Sequence, residues 1–145
     1  MARRSTSKLQ NALAALHRGI FRLSRGRIGG RVGKNPVLLL TTRGRRSGRE
    51  RTIPLLYFDD DGDYVLIASN GGATQHPAWY LNLQAQPAAT VEVGSERVAV
   101  QAEDVVDPDE RARLWKQATE GYASYSSYAA KTDRPIPVVR LRPAA

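Results

Sequence analysis

The residues best suited to bind an anion lie together between Arg43 and Arg49, where the sequence reads Arg-Gly-Arg-Arg-Ser-Gly-Arg. Glycine lets the backbone bend and expose its N–H groups, serine offers a hydroxyl, and arginine makes charge-assisted, often bidentate contacts to phosphate. The lysine and the glycine spacing of a Walker loop are missing. This stretch predicts an anion site, although a solvated basic turn explains its composition equally well. Binding of a nucleic acid is the more specific alternative function for this stretch.

Three further segments carry side chains that a ligand could use. The small residues of Ala68-Ser69-Asn70-Gly71-Gly72 allow close approach of a flat ligand, although an ordinary glycine turn is the simpler interpretation. Trp79-Tyr80-Leu81-Asn82-Leu83 holds an amide among apolar residues, and a buried amide needs hydrogen-bond partners. Three tyrosines spaced by three residues would form one aromatic face on a helix, either for packing or for presenting hydroxyls: Tyr122, Tyr125 and Tyr128.

The sequence offers little chemistry of its own beyond these segments. His17 and His76 lie far apart with no carboxylate at metal-ligand spacing, so we expect no metal site. There is no cysteine, and no Ser-His-Asp arrangement can be assembled. An enzyme built on this chain would therefore take its reactivity from a cofactor.

The elements that must position these residues are mainly strands. Strand-like runs are predicted at Val37–Thr42, Thr52–Phe58, Tyr64–Ser69, Ala89–Val93, Arg97–Val105 and Ile136–Leu141. Helices are predicted over Ala78–Ala85 and, capped by Asp107, over Pro108–Glu120. About six strands with short helical insertions favour a small β-barrel of the mainly β, α+β class over a doubly wound sheet.

Charge divides the chain into two parts. Thirteen of the 22 basic residues precede Glu50, which is the first of the 14 acidic residues. Residues 1–35 are predicted to be a basic amphipathic helix, from about Ser5 to Arg25, followed by a glycine-rich linker, and residues 36–145 to be the barrel domain. The basic part indicates an anionic partner: nucleic acid, membrane headgroups or a phosphorylated ligand.

The sequence predicts a cytoplasmic protein. No run approaches the roughly 20 apolar residues that cross a bilayer, and the apolar run expected after Arg3 and Arg4 in a twin-arginine signal is broken. The N-terminal helix has two open interpretations. It could lie on the cytoplasmic face of the membrane as a peripheral contact, or it could pack on the barrel or on a partner subunit.

Five segments in order, over roughly residues 36 to 142, resemble the deazaflavin-dependent nitroreductase and quinone reductase family, whose members use coenzyme F-420. They are Leu39-Leu40-Thr41-Thr42-Arg43-Gly44-Arg45-Arg46-Ser47-Gly48, Arg51-Thr52-Ile53-Pro54-Leu55, Ala68-Ser69-Asn70-Gly71-Gly72, Pro77-Ala78-Trp79-Tyr80-Leu81-Asn82-Leu83 and Thr132-Asp133-Arg134-Pro135-Ile136-Pro137. The resemblance implies a split β-barrel like that of flavin-binding reductases. It also implies an oxidoreductase that passes a hydride from the reduced deazaflavin to a quinone-like or nitroaromatic acceptor.

The resemblance also assigns roles to residues. The cofactor's phosphate and polyglutamate tail would be bound by Arg45, Arg46, Ser47 and Gly48, and the next part of the groove would be lined by Arg51, Thr52, Ile53, Pro54 and Leu55. The deazaflavin ring would face Ala68, Ser69 and Asn70, and would be closed from the helix by Trp79, Asn82 and Leu83. The acceptor pocket would be formed by Ser69, Tyr122, Tyr125 and Tyr128.

Two positions depart from the nitroreductase-like members, and two other functions stay open. Leu56 stands where some members have a tyrosine, and Lys131 stands where an aromatic residue is often found. A split barrel that binds flavin mononucleotide (FMN) is the alternative within the enzyme class. A basic nucleic-acid-binding module is the alternative outside it, and is disfavoured because aromatic residues do not alternate with the basic ones. A homo-oligomer is compatible with the sequence.

Overall fold

The computed structural model describes residues 31–32 and 35–144, with side chains from residue 36 onward. Within this part, eight strands form one antiparallel sheet accompanied by three helices. The strands are β1 (Arg31–Val32), β2 (Asn35–Arg43), β3 (Glu50–Leu56), β4 (Phe58–Asp60), β5 (Asp63–Ile67), β6 (Ala88–Val93), β7 (Glu96–Asp104) and β8 (Val138–Pro143). The helices are α1 (Ala78–Ala85), α2 (Pro108–Gly121) and α3 (Ser124–Ala130), and Asn70–Gly72 forms a 3-10 turn.

The sheet closes on itself because one continuous run of chain supplies two of its edges. The strand order is β1-β2-β6-β7-β8-β5-β4, and β3 pairs with β2 outside this path. β3 and β4 therefore lie at opposite sides of the sheet, yet only Tyr57 separates them in sequence. The Tyr57 N–H donates to the Pro36 carbonyl at 3.2 Å. A sheet whose distant edges are joined by one residue must curl into a barrel.

The strands and helices predicted within the described residues are present, with two differences in the strands. The expected strand Thr52–Phe58 is divided at Tyr57 into β3 and β4, since the chain changes edges there. β1 is a two-residue strand where a glycine-rich connection was expected, so the described chain has eight strands rather than about six. The N-terminal helix predicted from Ser5 to Arg25 lies outside the described residues.

Two of the predicted helices form where their capping residues indicate. α1 covers Ala78–Ala85 as expected. α2 begins with Pro108 after Asp107, whose carboxylate accepts a hydrogen bond from the Glu110 N–H at 2.9 Å. That bond satisfies one of the free amides of the first turn. Among the described residues, no helix is both long enough and apolar enough to cross a bilayer.

β5 shows how the sheet buries both of its faces. Leu66 and Ala68 belong to a core cluster that includes Trp79 of α1, while Val65 and Ile67 belong to a second cluster beneath α2 and α3. Successive side chains of a strand point to opposite faces. A strand buried on both faces therefore joins the two cores, and the chain that follows it emerges between α1 and α3.

Arg140 on β8 fixes α2 against the β4–β5 hairpin. Its nearly buried guanidinium pairs with Asp60 and Asp63, at 2.9 Å each, and with Glu110 of α2. Arg113 of α2 also pairs with Asp60 at 2.9 Å. Hydrogen bonds from Arg113 and Arg140 lower the pKa of Asp60 to about 2, although burial opposes this shift. Because α3 follows α2 directly, this cluster also determines where α3 can lie.

Candidate active site

A groove runs beside β3 and consists of two adjoining cavities of different character. The first, called the apolar cavity, has a volume of about 630 Å³ and is lined mainly by apolar and aromatic side chains. The second, called the polar cavity, has a volume of about 540 Å³ and is lined by the arginine-rich loop and the start of β3. Both are lined by Ile53, Ala78 and Trp79. A ligand with an anionic end and a flat apolar end could therefore occupy both cavities at once.

The arginine-rich loop between β2 and β3 has a defined backbone. The Gly44 N–H donates to the Arg49 carbonyl at 2.7 Å, and the Gly48 N–H donates to the Gly44 carbonyl at 2.8 Å. Arg43 Nη1 donates to the Gly48 carbonyl at 2.7 Å. Gly48 has a φ of +71°, a left-handed conformation that glycine adopts more easily than residues with a side chain. The loop is thus an ordered turn.

The charge of the polar cavity comes from three exposed arginines, Arg45, Arg46 and Arg51, opposed by Glu50. Within the described part of the chain, none of these three guanidinium groups forms an ion pair. Their donors remain available to a ligand, and three positive charges against one negative charge favour an anion.

Asn82 of α1 connects this loop to the rest of the protein. Its buried side-chain oxygen accepts a hydrogen bond from the Arg45 N–H at 3.1 Å, and its Nδ2 donates to the Thr42 hydroxyl at 3.1 Å. The buried amide predicted from the sequence therefore has its partners within the protein. Asn82 lines the polar cavity and also positions the loop, and its role in closing the ring site stays a prediction.

The turn after β5 is built from three successive left-handed residues. Asn70, Gly71 and Gly72 have φ values of 49°, 64° and 83°. Ser69, Asn70 and Gly71 line the apolar cavity. Gly72 has a different function, since a Cβ there would lie 2.8 Å from the Tyr128 carbonyl oxygen. The second glycine therefore permits close contact with α3, while the approach of a ligand to this turn stays a prediction.

The three tyrosines form a cluster at the far wall of the apolar cavity, although one helix does not carry them all. Tyr122 follows the end of α2, while Tyr125 and Tyr128 lie on α3. Their ring centroids lie 5.0 to 6.4 Å apart. Tyr125 is buried against Phe58, whereas the hydroxyl oxygens of Tyr122 and Tyr128 share a hydrogen bond of 3.3 Å.

The ionisation of the tyrosines follows their environment. Burial raises the pKa of Tyr125, so its hydroxyl remains protonated at all ordinary pH. The shared hydrogen bond lowers the pKa of Tyr122 and raises that of Tyr128. Both residues line the apolar cavity, where a tyrosine hydroxyl can act as a hydrogen-bond donor.

The structure brings most of the residues singled out from the sequence to the groove. Those lining it are Arg45, Arg46, Ser47, Arg51, Thr52, Ile53, Pro54, Leu55, Ser69, Asn70, Trp79, Asn82, Tyr122, Tyr125 and Tyr128. Three do not line it: Ala68 and Leu83 are buried in the core, and Gly48 lies in the loop's backbone turn. Their roles toward a cofactor stay predictions.

The sequence analysis missed several apolar lining residues, including Val37, Leu66, Ile67 and Pro77. Leu66 and Ile67 are successive residues at the end of β5 and point to opposite faces, so the alternation of that strand could have indicated only one of them. Val37 lies on β2, and its place in the cavity depends on the pairing of β2 with β3, which no local pattern reveals. Leu56, noted as a departure, also lines this cavity.

Comparison with known sequences gives one consistent family. The family described as F420H(2)-dependent quinone reductase matches residues 14–143. A curated protein of Mycobacterium tuberculosis (strain ATCC 25618 / H37Rv), named F420H(2)-dependent quinone reductase, is 44% identical over 133 residues. That match covers 89% of each chain.

Comparison with solved structures supports the same relationship. An F420-H2 dependent reductase (FDR-A) is 39% identical with a TM-score of 0.67, covering 74% of this chain and 94% of that one. A structure described as a domain-swapped dimer is 34% identical with a TM-score of 0.69, covering 97% and 96%. A protein of Listeria innocua described as a pyridoxamine 5'-phosphate oxidase has a TM-score of 0.54 at 11% identity, covering 75% and 84%. This last likeness concerns the fold alone, and confirms the split barrel implied by the resemblance.

The contacts of Asn82 yield a first prediction. Replacing Asn82 by leucine keeps the side-chain size but leaves the Arg45 N–H and the buried Thr42 hydroxyl without their partner. We expect the free energy of unfolding, measured with urea, to fall by about 1–3 kcal/mol, with faster hydrogen exchange at the Arg45 amide. Gln84→Leu, on the exposed face of the same helix, is the control and should change little, since it removes only an exposed hydrogen bond to Asp104. Equal effects of the two variants would show that Asn82 does not position the loop.

Proposed function

Because the chain belongs to the F420H(2)-dependent quinone reductase family, we propose that it is an oxidoreductase that uses reduced coenzyme F-420 to reduce a quinone. The family membership confirms the resemblance seen in the sequence. The observation that carries the proposal is the groove, in which a basic polar cavity and an apolar cavity walled by tyrosines meet at Trp79. When bound, the deazaflavin supplies a hydride, which with one proton converts a quinone to the hydroquinone.

The polar cavity suits the anionic tail of the cofactor. The guanidinium groups of Arg45, Arg46 and Arg51 line it and form no ion pair with a described residue. Charge-assisted hydrogen bonds to phosphate are about twice as strong as neutral ones. We propose that these arginines, with Ser47, bind the phosphate and polyglutamate part of the tail, while Gly48 gives the loop its shape.

The apolar cavity suits the flat ring. Ile53, Pro54 and Trp79 give it an apolar wall, and Ser69 and Asn70 place polar groups at its edge. Hydride transfer requires donor and acceptor carbons to stack near contact, so the protein contributes mainly by positioning the two and excluding water. The first of these tasks needs rigid walls, which β3 and the buried Trp79 provide.

We assign the acceptor to the part of this cavity walled by the tyrosines. Negative charge develops on a quinone oxygen as the hydride arrives, and a donor placed there stabilises it. The hydroxyl of Tyr122 or Tyr128, or that of Ser69, can donate to that oxygen. Tyr125 is buried, and supports the two other rings by packing.

The two departures bear on the choice of acceptor. Leu56 lines the apolar cavity, and the Lys131 ammonium lies 5.7 Å from the Tyr128 ring centroid as a cation–π contact. A positive charge beside the acceptor wall favours acceptors that become anionic. Reduction of nitroaromatic compounds stays a prediction. So do the division of the chain at about residue 35, a cytoplasmic location and membrane contact by the N-terminal helix.

A dimer of this chain is a further proposal. One relative with a TM-score of 0.69 is described as a domain-swapped dimer. Exchange of an identical element between protomers is a low-cost route to a dimer. Light scattering of the full chain measures its mass directly.

The activity is tested by mixing the purified protein with reduced coenzyme F-420 and a soluble naphthoquinone in the absence of oxygen. We expect the visible absorbance and fluorescence of the oxidised deazaflavin to return at a rate proportional to the protein concentration. The cofactor's fluorescence should also change on binding without a quinone. Unchanged fluorescence would contradict the proposal. A protein that is yellow when purified, and whose activity follows its flavin content, would instead favour FMN.

The tail site is tested by Arg45→Ala combined with Arg46→Ala. Each lost charge-assisted bond contributes about 1.5–3 kcal/mol, so the dissociation constant for oxidised coenzyme F-420 should rise at least about tenfold. The difference from the unaltered protein should shrink as salt is added, because ions screen these exposed charges.

The matched control is Arg97→Ala combined with Arg142→Ala, which removes the same charge from exposed positions on β7 and β8. We expect it to leave the dissociation constant within about twofold, since both charges lie outside the two cavities and are screened. Equal losses in the two double variants would show that affinity follows net charge alone. Unchanged affinity in the loop variant would place the tail elsewhere.

A further inference from the structure

Arg134 lies between α3 and β8, outside both cavities, and its guanidinium is surrounded by acceptors of the turn that follows β5. Nη1 donates to the Ala68 carbonyl at 3.3 Å, and Nη2 donates to the Ser69 carbonyl at 2.9 Å. Nε and Nη2 both donate to the Ala73 carbonyl, at 3.2 and 3.1 Å. Nη1 also lies 2.9 Å from Nδ1 of His76. One side chain therefore holds the beginning and the end of the turn.

The geometry of these contacts needs an arginine. A guanidinium offers five N–H donors in a rigid plane, and Arg134 directs them to three carbonyls and one imidazole nitrogen. A lysine ammonium has three donors around one point and cannot reach both ends of the turn with the same geometry. The contacts also require a neutral His76, whose Nδ1 accepts only when unprotonated.

The turn that Arg134 holds is the one that brings polar groups to the apolar cavity. Ser69, Asn70 and Gly71 line that cavity, and three successive residues of the turn are left-handed. Within the turn, the Gly72 N–H donates to the Ser69 carbonyl at 2.9 Å and the Ala73 N–H donates to the Asn70 carbonyl at 3.1 Å. A backbone in this conformation persists only when its surroundings determine it.

Arg134 lies in the segment that leaves the helix carrying two of the tyrosines, and its backbone is tied within that segment. Its N–H donates to the Thr132 hydroxyl at 3.2 Å, directly after α3. Gly72 lies against Tyr128 so closely that a Cβ would be 3.0 Å from the Tyr128 Cα. The turn is thus held both by α3 and by the segment that leaves α3, which couples its position to that of the tyrosine wall.

We propose that Arg134 is a positioning residue for the reaction, which keeps Ser69 and Asn70 at the distance from Tyr122 and Tyr128 that a bound ring and acceptor require. The proposal rests on the function proposed above. Arg134 touches neither cavity, so it acts through the turn. Its loss should lower kcat while the basic loop continues to bind the cofactor's tail.

His76 supplies a spectroscopic measure of the same contact. Burial, together with the positive charge of Arg134, lowers the pKa of His76, while Asp104 acts in the opposite direction. The Tyr80 ring lies 4.8 Å from the imidazole, and the Tyr80 hydroxyl donates to Asp104 at 2.7 Å. These are the charged and titratable groups that face His76 among the described residues. Removing the charge of Arg134 should therefore raise the pKa of His76.

The experiment compares Arg134→Lys and Arg134→Gln with Arg142→Lys and Arg142→Gln, which alter an exposed arginine paired with Glu103. In the cofactor-free protein, hydrogen exchange at the Gly72 and Ala73 amides should become at least about tenfold faster in both Arg134 variants, with little change across β7. The pKa of His76, followed by NMR with His17 as the internal reference, should rise in Arg134→Gln. The Arg142 variants should match the unaltered protein in both.

With reduced coenzyme F-420 and a naphthoquinone, both Arg134 variants should lose about 10- to 100-fold in kcat, the cost of a misplacement near 1 Å. The dissociation constant for oxidised cofactor should change far less than kcat. Exchange and kcat equal to those of the Arg142 variants would overturn the proposal. Equally faster exchange across the whole sheet would also overturn it, since Arg134 would then be a general contributor to stability.

Different results would contradict the proposed function and the proposed role of Arg134. If the unaltered protein neither binds the cofactor nor reduces a quinone, the proposed reaction is wrong. Exchange at Gly72 and Ala73 would then still decide whether Arg134 holds the turn, because it is measured without cofactor. Activity in the unaltered protein together with unchanged turn exchange in the variants would overturn the role of Arg134 alone.

Discussion

The side-chain amide of Asn82 is the contact that joins the two halves of the groove. It is 4% exposed, and its two polar atoms are used by Thr42 at the end of β2 and by the backbone of Arg45 in the basic loop. Three residues earlier on the same helix, Trp79 lines both cavities. Any other position of the loop would leave this buried amide without a hydrogen-bond partner, which is costly in the interior of a protein. The distance between the arginine-rich loop and the apolar cavity is therefore determined by the interior of the protein.

This arrangement holds a polar and an apolar cavity side by side, which is what the proposed cofactor with two different ends requires. The polar end depends on guanidinium groups that form no ion pair with a described residue. It also depends on the arginine-rich loop, whose backbone is closed by hydrogen bonds of Gly44 and Gly48. The apolar end depends on β3, an edge strand that tolerates Pro54 because it pairs only with β2. The far wall of the apolar cavity is formed by tyrosines carried by the end of α2 and by α3.

Much of the site could be predicted from short segments of the sequence, because loop composition and helix signals are local. The groove is lined, as expected, by Gly44–Ser47, by Ser69–Gly71 and by residues of α1. Contacts between distant segments could not be predicted. The partners of Asn82 lie 37 and 40 residues away, and the need for a glycine at Gly72 arises from α3.

In the fold, too, features that depend on distant segments could not be predicted. The longer strands could be recognised from their β-branched and alternating residues, but the change of edge at Tyr57 depends on how the sheet closes, which no local pattern reveals. The spacing of Tyr122, Tyr125 and Tyr128 predicted one helical face. The cluster forms from two helices, because α2 ends just before Tyr122 and the contact with the turn at Gly72 sets the direction of α3.

The most direct test of this account is a crystal structure of the protein with oxidised coenzyme F-420. The account predicts the phosphate within hydrogen-bond distance of Arg45 or Arg46, and the ring in the apolar cavity between Trp79 and the turn at Ser69. The face of the ring left open should lie toward Tyr122 and Tyr128. A phosphate bound away from the loop, or a ring outside the cavity, would contradict the account.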